Sequence, residues 1–168
     1  MRIALFILFL STVVCSDLTG QDAAHYVEKG QKLLHDGNYT DALDAFNQAI
    51  QIDPNDLAAY TQRAFTYSVL KDYESAISDY SYVLELNPNL ISAYLSRGSA
   101  LNKLKRFDQA LQDFSKVIEL DPENSEAFNN RGWAKKGMGD KEGACKDWKT
   151  SKKMGNAEAK IILKNNQC

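Results

Sequence analysis

Few residues in this sequence have the type and spacing for bond-making chemistry. The two histidines, His25 and His35, lie near the start, and neither shares a recognisable nucleophile motif with a serine or cysteine. Cys145 and Cys168 lie at the opposite end, so the four residues do not share a zinc-ligand spacing. Gly137, Gly139 and Gly143 scatter around one turn and form no loop that would cradle phosphate. The expectation is a protein that is not an enzyme, needs no cofactor or metal and takes no small-molecule substrate. Two other sets of residues can form bonds within the chain. Arg63, Arg97 and Arg131 can face Asp79, Asp113 and Asp147, and the thiols of Cys145 and Cys168 can be oxidised together.

Those charges recur every 34 residues, and so does much else. Asp53-Pro54, Asn87-Pro88 and Asp121-Pro122 mark the same period. Gly30, Ala64, Gly98 and Gly132 form a row of small residues, and Ala42, Ala76, Ala110 and Ala144 form another. Phe46, Tyr80, Phe114 and Trp148 recur together, as do Tyr26, Tyr60, Tyr94 and Phe128. A fixed period of this length is the mark of a repeat architecture. Two helices approach closely only where side chains are small, so the two small rows belong at a helix crossing. The aromatic row four residues after each alanine lies on the same helical face and fills the space beside it.

Within a repeat the apolar spacing is helical: Tyr73, Ala76, Ile77, Tyr80, Val83 and Leu84 lie three and four apart. The pattern predicts helices at 23–35, 40–52, 57–70, 73–86, 91–104, 107–120, 125–138 and 141–154, with a short last helix at 157–165. Short links make neighbours antiparallel. Proline fits those links because it cannot continue a helix interior.

With these rows, and with Tyr39, Tyr73 and Phe107 opening the second helices, residues 23–156 resemble the tetratricopeptide repeat (TPR) family. The resemblance implies an all-α, TPR-type α-solenoid with four helix–turn–helix repeats at 23–56, 57–90, 91–124 and 125–156. A short C-terminal capping helix and tail follow at 157–168. The fourth repeat departs most. Lys141 replaces the aromatic, Lys152 replaces the row Ile50, Leu84 and Ile118, and Asn156 stands where proline would be. Terminal repeats are commonly atypical because one side meets solvent or a cap.

Each repeated arginine precedes the small residue of a first helix, and each repeated aspartate precedes the aromatic of a second helix. The first repeat lacks both, with Lys29 and Ala45 in their places. Charges that come and go together are what direct pairing produces: Arg63–Asp79, Arg97–Asp113 and Arg131–Asp147. The other reading, a positive stripe that grips an acidic ligand, is weaker because each arginine has a neutralising aspartate at hand.

In the family, first helices line a concave face that holds extended or helical peptides. The matching positions are Val27, Gln31 and Leu34, then Thr61, Phe65 and Val69. Leu95, Ser99, Asn102 and Lys103 follow in the third repeat, and Asn129, Trp133 and Lys136 in the fourth. Phe65 and Trp133 would anchor apolar side chains, or else pack on neighbouring helices. Asn102 and Asn129 would pair with a peptide backbone. Family members that clamp the carboxylate tail of cytosolic chaperones carry Lys and Asn on the first helix, then Lys and Arg on the third repeat's first helix. Val27, Gln31, Ser92 and Ser96 stand there here, so that clamp is absent.

The start of the chain reads differently. Met1 and Arg2 precede an apolar run from Ile3 to Val14. Twelve residues reach only ~18 Å, short of a hydrocarbon core of ~30 Å. This describes a secretory signal peptide at 1–16, cleaved near 15–20. A retained anchor and a buried N-terminal helix are the alternatives. Removal of 1–16 takes away Arg2 and leaves 19 basic against 22 acidic residues, a net charge of −3. Such a charge does not point to nucleic acid or an anionic membrane. No spanning segment remains in the mature chain, which would be periplasmic or secreted.

An exported chain with Cys145 and Cys168 can form one disulfide. Cys145 shares a row with Leu43, Ile77 and Leu111, which face the following repeat, so it should face the terminal helix. From Cys145 the helix descends about 13 Å, and an antiparallel terminal helix returns about 12 Å. Cys168 then arrives level with Cys145. The alternative is a buried Cys145 and a loose tail at Cys168. The function expected is an adaptor that holds a peptide segment of another protein, or alternatively a passive part of an envelope or secreted assembly.

Overall fold

The structure, a computed structural model, describes residues 22–166 and Cys168. The expected signal segment lies outside the described residues. Among those described there are helices and no strands, and no helix is long and apolar enough to cross a membrane. The helices group into two compact units that meet in sequence at Leu70 and Lys71.

The first unit contains α1 (22–35), α2 (Tyr39–Ile52) and α3 (Leu57–Val69). Val27, Ala49 and Ala59 form its core, with Tyr26 and Ile50 packed against them. Asp56 caps α3, its carboxylate accepting from the N–H groups of Ala58 and Ala59 at 2.8 and 3.0 Å.

The second unit contains α4 (Tyr73–Leu86), α5 (Ile91–Lys103), α6 (Phe107–Leu120), α7 (Ser125–Gly137), α8 (Lys141–Lys153) and α9 (Ala157–Asn165). Leu101, Ala110, Phe114 and Ala134 form one core cluster, and Ala144, Trp148 and Ile162 another. The small row does what its spacing predicted. A methyl group on Gly98 would stand 2.8 Å from the Phe114 ring, and one on Gly132 would stand 2.5 Å from the Trp148 indole. Burying one such ring contributes about 2–3 kcal/mol. Asp72, Asn124, Asp140 and Asn156 cap α4, α7, α8 and α9 by accepting backbone N–H bonds.

The helices fall within one residue of the expected spans. α3, α5, α7 and α8 end one residue sooner; α8 runs into Gly155 at φ 92°, and the hairpin turn after each first helix needs a left-handed residue. That residue recurs with the 34-residue period: Gly37, Lys71, Lys105 and Gly139 have φ of 80°, 64°, 60° and 89°. At Lys105 and Gly139 the turn closes with N–H bonds back to the helix end, Arg106 to Leu101 at 2.9 Å and Asp140 to Lys135 at 2.9 Å.

Candidate functional site

Two of the three expected charge pairs, Arg97–Asp113 and Arg131–Asp147, are direct ion pairs. Arg97 donates from Nε to Asp113 Oδ2 at 2.9 Å and from Nη2 to Oδ1 at 2.7 Å. Its remaining Nη1 donates to Ser81 Oγ at 3.1 Å, and the guanidinium lies 5.6 Å from the Tyr94 ring centre. The bonds to Asp113 hold the Arg97 pKa above its ordinary value. Arg131 repeats the arrangement with Asp147 at 2.8 and 2.9 Å, Ser115 at 3.3 Å and the Phe128 ring at 5.3 Å. Lys135 Nζ adds a second cation on Asp147, at 2.8 Å.

Each of these arginines therefore reaches forward 16 residues to the aspartate of its own hairpin and back 16 to a hydroxyl of the previous repeat. Arg63 also reaches back 16, to Asn47 Oδ1 at 2.6 Å in the first unit, and Asp79 is buried in α4. The backward partners, Asn47, Ser81 and Ser115, form a 34-residue row that the sequence reading missed. Its signal was present, but small polar residues on a helix rarely draw notice. With their donors engaged, Arg97 and Arg131 offer no stripe for an acidic ligand.

The second unit holds a cavity of about 600 Å³ between α5, α7 and α9. Ser99, Asn102 and Lys103 line it from α5 and Phe107 from the start of α6. Asn130, Trp133, Lys136 and Gly137 line it from α7, and Glu158 from α9. Trp133 is 38% exposed, its ring packed edge-on to buried Trp148 at 5.2 Å. Lys136 Nζ stands 5.0 Å from the Trp133 ring centre and 2.5 Å from Asn166 Oδ1. Asn102 donates from Nδ2 to the Asn130 carbonyl at 3.2 Å, while its buried Oδ1 has no hydrogen-bond partner. An aromatic floor with two cations and one carboxylate around it can take up an apolar side chain with a polar neighbour.

Of the residues expected on a groove, Ser99, Asn102, Lys103 and Trp133 meet at this cavity. Leu95 is half-buried and packs on the Leu101–Phe114 core. Two expectations need correction. Asn129 is 3% exposed: α9 covers it, and its Nδ2 donates to Glu158 Oε2 at 3.1 Å. Val27 is core of the first unit, not groove surface. In that unit Gln31 is exposed, Thr61 Oγ1 donates to the Leu57 carbonyl at 2.7 Å, and Phe65 is 50% exposed. Phe107, Asn130, Gly137 and Glu158 were not foreseen as lining residues. Glu158 was out of reach because the four-repeat register stops before α9.

Cys145 and Cys168 are joined by a disulfide, with their Cα atoms 5.5 Å apart. The bond ties the chain end to α8 beside Trp148 and Ile162, and Cys168 packs on that cluster. Trp148 Nε1 donates to the Asn129 carbonyl at 3.1 Å, so the indole also supports the residue beneath α9. Among the described residues no group of three or more His, Cys, Asp or Glu side chains could hold a metal ion.

Comparison with known proteins places these features in a wider setting. Tetratricopeptide repeat models match residues 57–90, 91–124 and 114–146, and a TPR repeat model matches 30–68. A TPR and J domain-containing co-chaperone of Cryptococcus neoformans is 39% identical over 67 residues, which is 39% of this chain and 13% of that protein. MamA 41-end from Desulfovibrio magneticus RS-1 aligns with a TM-score of 0.78 at 25% identity, over 82% of this chain and 77% of that one. The first TPR of Spaghetti (RPAP3), solved bound to an HSP90 peptide, aligns with a TM-score of 0.68 at 32% identity. That alignment covers 71% of this chain and 95% of that one.

Proposed function

Since the chain belongs to the tetratricopeptide repeat family, we propose that it is a non-catalytic adaptor holding a peptide segment of another protein in the cavity between α5, α7 and α9. The observation that carries this reading is Trp133, a large aromatic left 38% exposed on the cavity floor beside the unpaired buried Oδ1 of Asn102. An exposed aromatic in a concave site is the usual anchor of a binding surface.

Spaghetti (RPAP3) holds the peptide SRMEEVD. The carboxylate clamp of such domains is not rebuilt here, with Val27 in the core and neutral residues at Gln31, Ser92 and Ser96. The charges lining this cavity are Lys103, Lys136 and Glu158, a net positive set with Lys136 beside Trp133, which favours a segment with an acidic residue beside its apolar anchor. The same reading places the protein outside the cytosol: the basic and apolar start fits a signal peptide, and an oxidising compartment would preserve the disulfide.

Pull-down from the native source with wild-type chain and Trp133→Ala tests the reading. A partner retained by the wild type should be lost with the alanine variant. A partner retained by both, and lost instead on changing exposed Leu86 of α4, would favour a passive structural role.

A further inference from the structure

α9 does more than cap the stack. Glu158, in its first turn, is a wall of the cavity, and Ile161 and Asn165 follow at helical spacing on the same stripe. Ile161 is 61% exposed, an apolar surface continuing from the cavity along the terminal helix. The ligand site therefore depends on a nine-residue element at the very end of the described chain.

A helix of that length is marginal on its own. It is held by Ile162 and Leu163 on the Trp148 cluster, by fully buried Ala159, by Glu158 to Asn129 at 3.1 Å, by Asn166 to Lys136 at 2.5 Å, and by the Cys145–Cys168 bond. The Asn166–Lys136 contact is exposed and contributes little. The covalent link ties the segment just after the helix to α8.

Resting on the adaptor reading above, we propose that α9 is the fourth wall of the peptide site and that the disulfide makes the site redox-dependent. The oxidised chain holds its partner segment, and the reduced chain releases it. A dithiol reductant supplies two electrons and two protons. Its own sulfurs become a disulfide, the Cys145–Cys168 bond breaks, and each cysteine gains a thiol proton. With the tail free, α9 frays, Glu158 leaves, and Asn129 and Trp148 face water. Coupling is reciprocal, so a bound segment that touches α9 must slow reduction in turn.

The test begins with a random peptide library selected on the oxidised chain, keeping a peptide that fails to bind Trp133→Ala. Its Kd is then measured on oxidised chain, on chain reduced with dithiothreitol, and on Cys168→Ser. At least tenfold weaker binding to the last two is expected, with amides 157–166 exchanging faster while those of α5 and α7 do not. A Kd unchanged within twofold on both overturns the latch and leaves the adaptor reading standing. A library that yields no Trp133-dependent peptide overturns the adaptor reading and the latch with it.

Discussion

In the hairpin α5–α6, Gly98 lets Phe114 close on the first helix, Arg97 grips Asp113 and Ser81, and α7 covers the outer face. In α7–α8, Gly132 admits the larger Trp148, and Arg131 shares Asp147 with Lys135. The outer face of this second hairpin is covered by a single short helix held by a disulfide. Ser151 stands where the second and third repeats have buried Val83 and Val117, and donates to the Ser125 carbonyl at 2.7 Å. An interior repeat gets its order from packing on the next one. The terminal repeat lacks that neighbour and relies on polar ties, a second cation and a covalent bond. Its exposed edge is where the cavity opens.

The contrast can be broken first at the rings. Trp148→Ala removes a buried indole that supports α8, Asn129 and α9 together, and should cost about 3–5 kcal/mol in urea unfolding. Phe114→Ala should cost a similar amount without faster exchange in α9. Cys168→Ser should cost roughly 3 kcal/mol in the chain-entropy model, with the loss confined to α8 and α9 by hydrogen exchange. An equal loss of protection in α5 and α6 would mean the end is not a separate device.

The arginines sharpen the comparison further. Arg97→Ala leaves the Asp113 carboxylate buried and unpaired and should cost about 2–4 kcal/mol. Arg131→Ala should cost about 1–2 kcal/mol, because Lys135 still neutralises Asp147. Thermal melts of Arg97→Ala, Asp113→Ala and the double variant should show strong non-additivity; strictly additive losses would contradict direct pairing. The smallest effect is at the turns. Lys105 holds φ 60° where the terminal turn has Gly139 at 89°. Lys105→Gly should gain about 0.5–1 kcal/mol, and Gly139→Ala should lose about 1 kcal/mol.

Helix positions were legible in the sequence because the chain is punctuated. Asp56, Asp72, Asn124, Asp140 and Asn156 stand at helix starts, and the prolines stand in the links. The small and aromatic rows revealed the crossings, since steric fit at Gly98 and Gly132 leaves no other choice. The arginine's third partner escaped notice because Ser81 and Ser115 are ordinary helix residues until a guanidinium is placed beside them. The site was half legible. Repeat register marks which residues of a first helix face a groove, but not which end of that groove the chain covers itself. Asn129 was misplaced for that reason, and Glu158 was overlooked.

Chemical-shift mapping of a bound peptide tests the central claim most directly. The two indole N–H signals report on Trp133, at the cavity floor, and Trp148, buried beneath it. Titrating a selected peptide into oxidised, isotope-labelled chain should shift the Trp133 indole, the Asn102 side-chain amide and the Gly137 backbone amide together. Shifts confined to α4, α6 and α8, with the Trp133 indole unmoved at saturation, would contradict the assignment of this cavity as the binding site.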